Sequence, residues 1–110
     1  MEITTDKKGD VVILALSGKL DASSSKIFED KILAEIDAGD QRFVIDLAQV
    51  EYVSSSGLRV FLLAAKRLRS SNGKIVLCSL KDHIRQVFDL TGFSSILSIY
   101  GSRDEAFKSG

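Results

Sequence analysis

Proline is absent from this 110-residue chain, and no repeat, low-complexity stretch or linker-like segment interrupts it. Nothing marks an internal boundary, and the length suits one domain, 1–110, rather than two. The single cysteine, Cys78, excludes an internal disulfide. It lies in the apolar run Ile75-Val76-Leu77-Cys78 and reads as a small buried core residue, consistent with a reducing compartment. The single histidine, His83, has no second histidine or cysteine nearby, so neither a metal site nor a catalytic triad can be built around it. No charge excess exists either: 15 basic residues balance 15 acidic ones. A nucleic-acid binder draws much of its affinity from neutralising phosphates and needs a basic surplus. A polybasic membrane patch is equally missing. No apolar run approaches the ~20 residues that span a bilayer, and Met1 to Asp6 lacks a charged-then-apolar leader pattern. The expectation is a soluble cytoplasmic protein without metal or cofactor.

What is present is a steady alternation of strand and helix patterns. Residues 2–8 form a polar strand, an edge strand protected by Lys7 and Lys8. Gly9-Asp10 turns the chain into Val11 to Leu16, apolar on both faces and so a central strand paired with the first as a hairpin. Asp21 is the candidate N-cap of a helix over 22–38, in which Phe28, Ile32 and Ile36 recur every four residues before Gly39. The strand Phe43 to Leu47 follows, then a helix over about 56–70 with an apolar stripe of Leu58, Phe61, Leu62, Ala65 and Leu68. After Asn72-Gly73 come a strand from Lys74 to Ser79, a helix over 80–91 with Ile84, Val87 and Phe88 inward, and a last strand from Ile96 to Ile99. Ser102 to Glu105 reads as a capping box for a short terminal helix. The pattern predicts an α/β fold: a mostly parallel sheet of about five strands, the first antiparallel at the edge, with about four helices. Functional loops of such sheets gather at the carboxyl ends of the strands, which would bring Asp21, Asp46 and the serine run near one another.

That run, Ser54-Ser55-Ser56-Gly57-Leu58-Arg59, is the most informative stretch. Its plain reading is a helix N-cap, worth about 1 kcal/mol. One cap, however, needs one serine and not three. Gly57 in the first turn carries a propensity cost, suggesting that something approaches the backbone closely. A phosphate on a hydroxyl here would meet free N–H groups and the positive end of the helix dipole. On the same helix Val60 and Leu63 fall opposite the apolar stripe, flanked by Arg59 and Arg67. They are either two scattered surface apolars or a modest docking patch.

The chain resembles the STAS domains, the family of bacterial anti-sigma factor antagonists and of the cytoplasmic domains of sulfate transporters. The resemblance rests on Gly18-Lys19-Leu20-Asp21, on Ile45-Asp46-Leu47, on Val50 through Leu58, on Gly92-Phe93 and on Glu105-Ala106, in that order and spacing. The family pattern at the key site is Asp-Ser-Ser/Thr-Gly-Leu, and its first serine is the phosphoacceptor in the bacterial antagonists. Aligned on Gly57-Leu58, that serine is Ser55, and Ser54 stands where the family has aspartate. Ser54 or Ser56 remains an alternative acceptor. The resemblance implies partner switching: the unphosphorylated protein binds an anti-sigma factor that is itself a serine kinase, phosphorylation of Ser55 releases it, and a serine phosphatase resets the switch. The resemblance and the helical placement of Leu63 together make Asp21, Ser54, Ser56, Gly57, Leu58, Arg59 and Leu63 the expected partner-binding residues, on a monomer or weak dimer.

Two rivals stand beside this reading. Ser23-Ser24-Ser25-Lys26 matches Ser-x-x-Lys, a serine nucleophile beside a lysine base, but the companion motifs of that enzyme class are missing, so no catalytic role is expected. The second rival is a stand-alone STAS subunit of a larger assembly, such as a lipid-transport complex or a stress-signalling particle, without sigma-factor control.

Overall fold

The computed structural model describes residues 1–109. Five strands form one sheet in the order β1-β2-β3-β4-β5: Glu2–Lys8, Val11–Leu20, Arg42–Val53, Lys74–Cys78 and Ser98–Tyr100. The hairpin pair β1–β2 is antiparallel and the other three pairs are parallel. The helices are α1 (Ala22–Asp37), α2 (Ser55–Arg69), α3 (Asp82–Leu90) and α4 (Arg103–Lys108). The mixed five-stranded architecture is the expected one. No helix among the described residues is long and apolar enough to cross a membrane.

Period-two alternation divides each central strand between two layers. Val12, Leu14, Phe43, Ile45, Ile75 and Leu77 join Phe28 and Ile32 of α1, Phe61 and Leu68 of α2, and Ile84 and Phe88 of α3 in the main core. Phe61 stands at its centre, with ring centroids 5.2 Å from Phe28 and 5.7 Å from Phe88. The opposite face holds a smaller cluster of Val11, Ile13, Val44, Val76 and Cys78 under Ala106 of α4. Cys78 is fully buried, and desolvation pushes its thiol pKa up. Arg103 fastens α4 to β3, its Nη2 and Nε lying 2.9 and 3.1 Å from Asp46 Oδ2. Met1 and Ser109 lie apart. Met1 packs beside Gly18 near the end of β2, whereas Lys74 Nζ, at the start of β4, donates to the Ser109 carbonyl.

Four expectations need correction. The third strand runs on to Val53, well past Leu47, because β2 and β3 keep pairing through two register shifts as far as Leu20 and Val53. This two-stranded extension begins where β4 ends, since Cys78 is opposite Asp46. Asp46 is thereby left in the body of the sheet, paired with Arg103, and does not join Asp21 and the serines. The last strand is Ser98–Tyr100, shifted from the expected Ile96–Ile99, because Phe93–Ser95 winds into a 3₁₀ turn and leaves Ile96 half exposed. Of the proposed capping box, Ser102 Oγ accepts from the Glu105 N–H, while the Glu105 carboxylate accepts from the Ser102 hydroxyl rather than from its backbone N–H.

Helix α2 is also rotated from the expected stripe. Gly57, Leu58, Val60, Phe61, Ala64 and Leu68 are its buried residues, while Leu62 and Ala65 are only half buried. Val60 is 1% exposed and belongs to the core, not to a docking patch. Its flank faces α1: Arg67, seven residues on and so nearly the same direction around the helix, bonds Asp37 of α1. A helix packed on both a sheet and a neighbouring helix buries a wider arc than one stripe reveals.

Candidate functional site

The starts of α1 and α2 come together at the far end of the β2–β3 extension. Leu20 and Val53 are the last paired residues there, and the Ser54 N–H donates to the Leu20 carbonyl at 2.9 Å. Asp21 follows Leu20 and caps α1. Its Oδ1 accepts from the Ser24 N–H at 3.0 Å and from the Ser23 and Ser24 hydroxyls, and Ser24 returns the bond from the Asp21 N–H at 2.9 Å. The Ser24 backbone bond, followed by the two hydroxyls, holds the Asp21 carboxyl pKa below the usual aspartate value. Ser25 donates to the Asp21 carbonyl, completing the turn. All three serines of the Ser23–Ser25 group are therefore occupied by the cap. Lys26 bonds Asp30 at 3.0 Å, and that bond before all else raises its pKa. The nucleophile-and-lysine reading has no geometry behind it.

The serine run divides its tasks. Ser54 is the N-cap of α2, extended at φ −83° and ψ 171°, and accepts from the Gly57 N–H at 3.2 Å. Ser54 thus supplies the capping oxygen at the position where the family pattern has aspartate. Ser55 is the first helical residue and is exposed, whereas Ser56 is half buried. Gly57 is buried because Leu20 packs against it: a Cβ there would lie 2.8 Å from both Leu20 Cγ and Leu20 Cδ2. The close approach inferred from this glycine comes from within the molecule and not from a partner. Leu58 is 6% exposed and packs into the core, so Gly57 and Leu58 shape the edge from beneath.

Asp21, Ser55 and Arg59 are among the exposed polar groups around the run. Arg59 Nη2 lies 3.3 Å from Glu29 Oε1 on α1. Leu63, one turn beyond Arg59, is half buried. Asp21, Ser54, Ser55, Ser56 and Arg59 therefore gather around two adjoining helix starts, with Leu63 farther along α2. The sequence reading missed a strap behind this edge. Glu51, two residues before Val53, takes a 2.9 Å bond from Lys81 Nζ, which lowers its pKa, and its carbonyl lies 2.7 Å from His83 Nε2. The start of α3 thus braces the β3 extension, and His83 has a structural partner that its isolated place in the sequence did not reveal.

A STAS domain family model matches residues 2–106, and the chain belongs to that family. Its relatives identify a narrower class. BtrV of Bordetella bronchiseptica, assigned as an anti-sigma factor antagonist, is 42% identical over 106 residues, covering 96% of this chain and 91% of its own. The anti-sigma-B factor antagonist of Listeria monocytogenes is 33% identical over 95 residues, covering 86% and 82%. Among solved structures, a Thermotoga maritima protein assigned to the antagonists matches with a TM-score of 0.93 at 27% identity over 97% of this chain and 92% of its own. The phosphorylated form of the Bacillus cell fate determinant SpoIIAA shares the fold, with a TM-score of 0.78 at 20% identity over 98% of each chain.

Proposed function

We propose that this chain is an anti-sigma factor antagonist of the cytoplasm that works by partner switching. Unphosphorylated, its α1–α2 edge binds an anti-sigma factor that is also a serine kinase, and the sigma factor is freed. The kinase transfers phosphate from ATP to Ser55: the Oγ–P bond forms as the bond from the γ-phosphorus to ADP breaks, and the hydroxyl proton leaves to a base of the kinase. The phosphorylated chain lets go, and a serine phosphatase hydrolyses the ester and resets it. The chain itself supplies no catalysis.

One observation carries this reading: Ser54 does the capping, so the neighbouring Ser55 hydroxyl is exposed at the helix start with no structural task among the described residues. A phosphate on Ser54 would displace the oxygen that satisfies Gly57, and one on half-buried Ser56 would meet more of the protein. On Ser55 it meets solvent, the first-turn N–H groups and the positive end of the dipole. The relatives' roles as antagonists and the existence of a phosphorylated form of SpoIIAA support the same reading. Incubation with the cognate kinase and ATP should add one phosphate, lost in Ser55→Ala. Undiminished incorporation into that variant would move the acceptor to Ser54 or Ser56.

A further inference from the structure

Ser55 and Arg59 are four residues apart on α2, both exposed, so they are neighbours one turn apart on its outer face. Arg59 spends its charge on Glu29 of α1 through one Nη2–Oε1 contact of 3.3 Å, longer than the ~2.7–2.9 Å of a strong charge-assisted bond. The arginine is 65% exposed, so its long stem is free to swing, whereas Glu29 is 18% exposed. We propose that a phosphate on Ser55 is captured by Arg59 within the same chain, and that Arg59 gives up Glu29 to do so. The α1–α2 ion pair would then belong to the unphosphorylated protein only. The proposal rests on Ser55 being the acceptor, and it names what the phosphate does once it is there.

Geometry and charge favour the exchange. Side chains of a helix lean toward its N-terminus, so Arg59 leans back toward position 55. An acid four residues ahead of a base is the better order of such a pair. A phosphate brings about −1.5 to −2 charges and three acceptor oxygens, and it suits the two-pronged guanidinium better than one carboxylate oxygen does. Glu29 is not abandoned when Arg59 leaves, because Lys26, primarily bonded to Asp30, also feels the Glu29 charge. The nearest alternative cation, Lys26, is bonded to Asp30 at 3.0 Å. The nearby Asp21 carboxylate repels a phosphate and is held by its own cap. Phosphorylation therefore alters the edge twice. It adds a dianion at the start of α2, and it takes the guanidinium away from Glu29 of α1.

The test uses protein carrying phosphoserine installed at position 55 during synthesis, so no kinase is needed. Phosphorus NMR reads the second ionisation of the phosphate. Wild type should ionise about 0.15–0.4 pH unit lower than Arg59→Gln, with Arg59→Lys between them and Glu29→Gln no higher than wild type. The guanidinium signals of Arg59 in wild type should also shift and sharpen on phosphorylation, a reading that needs no variant. Identical phosphate titrations in wild type and Arg59→Gln, with unmoved Arg59 signals, would overturn the capture. Titrating the same samples with the partner reads the switch separately: binding that ignores the phosphate would sink the switch while leaving the capture intact, and the converse holds equally.

Discussion

Leu20 and Ser54 are tied by a 2.9 Å bond from the Ser54 N–H to the Leu20 carbonyl, so the cap of α2 hangs from the residue that precedes the cap of α1. The two helix starts form one continuous edge. A change at either start is presented to a partner against a fixed neighbour.

Ser55→Asp should keep its fold and lose its partner. An acid in the first turn suits the dipole by about 0.3–1 kcal/mol, so the melting temperature should hold or rise slightly. Binding to the anti-sigma partner should fall by at least about tenfold, because an unpaired charge would be buried in the interface and every ~1.4 kcal/mol is tenfold. Calorimetric titration beside a thermal melt checks both. Wild-type affinity in a folded Ser55→Asp would leave Ser55 as a helix residue and nothing more.

Gly57→Ala should destabilise the protein by about 1–3 kcal/mol, the usual cost of forcing atoms into a packed site. The new Cβ would press on Leu20 at 2.8 Å and on Val53 at 3.2 Å, prising α2 off the β2–β3 extension. Urea unfolding of the two proteins measures the loss, and an unchanged midpoint would mean that Leu20 repacks freely.

Val60→Glu and Leu63→Glu should part company. Val60 is 1% exposed between α2 and the core, so a carboxylate there should cost several kcal/mol or prevent folding. Leu63 is only half buried, so its variant should lose far less, about 1 kcal/mol, while weakening partner binding. Equal losses of stability would contradict the observed rotation of α2.

Asp21 gives the edge an acid-sensitive component. Its folded pKa lies below the ordinary value of 3.8, chiefly through the Ser24 N–H. The stability it confers is present above the ordinary value and is lost as pH falls through the depressed folded value. Asp21→Asn keeps a capping oxygen without the charge. Between about pH 6 and about pH 2, the urea midpoint of wild type should therefore fall further than that of Asp21→Asn. Parallel curves would show that the carboxylate gains nothing from the cap.

Much of this was legible in the sequence, for reasons that differ by residue. Asp21 announced itself as a cap because it stands just before a four-residue apolar period, and the hairpin followed from Gly9-Asp10 between strand patterns. The β2–β3 extension was not legible. Ala48, Gln49 and Glu51 break the alternation, and only the register shifts explain how Val50 and Val53 still reach the core. Val60 was misplaced because a helical wheel cannot know that a second helix covers its flank. Gly57 advertised a close contact without naming Leu20, 37 positions earlier in the chain. The pairing of Asp46 with Arg103 joins residues 57 apart, which no local pattern can anticipate.

The opposed placement of Met1 and Ser109 has a practical consequence for fusions. Because Met1 lies against Gly18, near the end of β2, anything joined ahead of it emerges beside the helix starts and competes for room with a docking protein. A tag or reporter appended after the last helix leaves from the opposite pole, by Lys74, and keeps clear of that edge. Surface immobilisation through the carboxyl end therefore presents the serine run outward, and immobilisation through the amino end hides it.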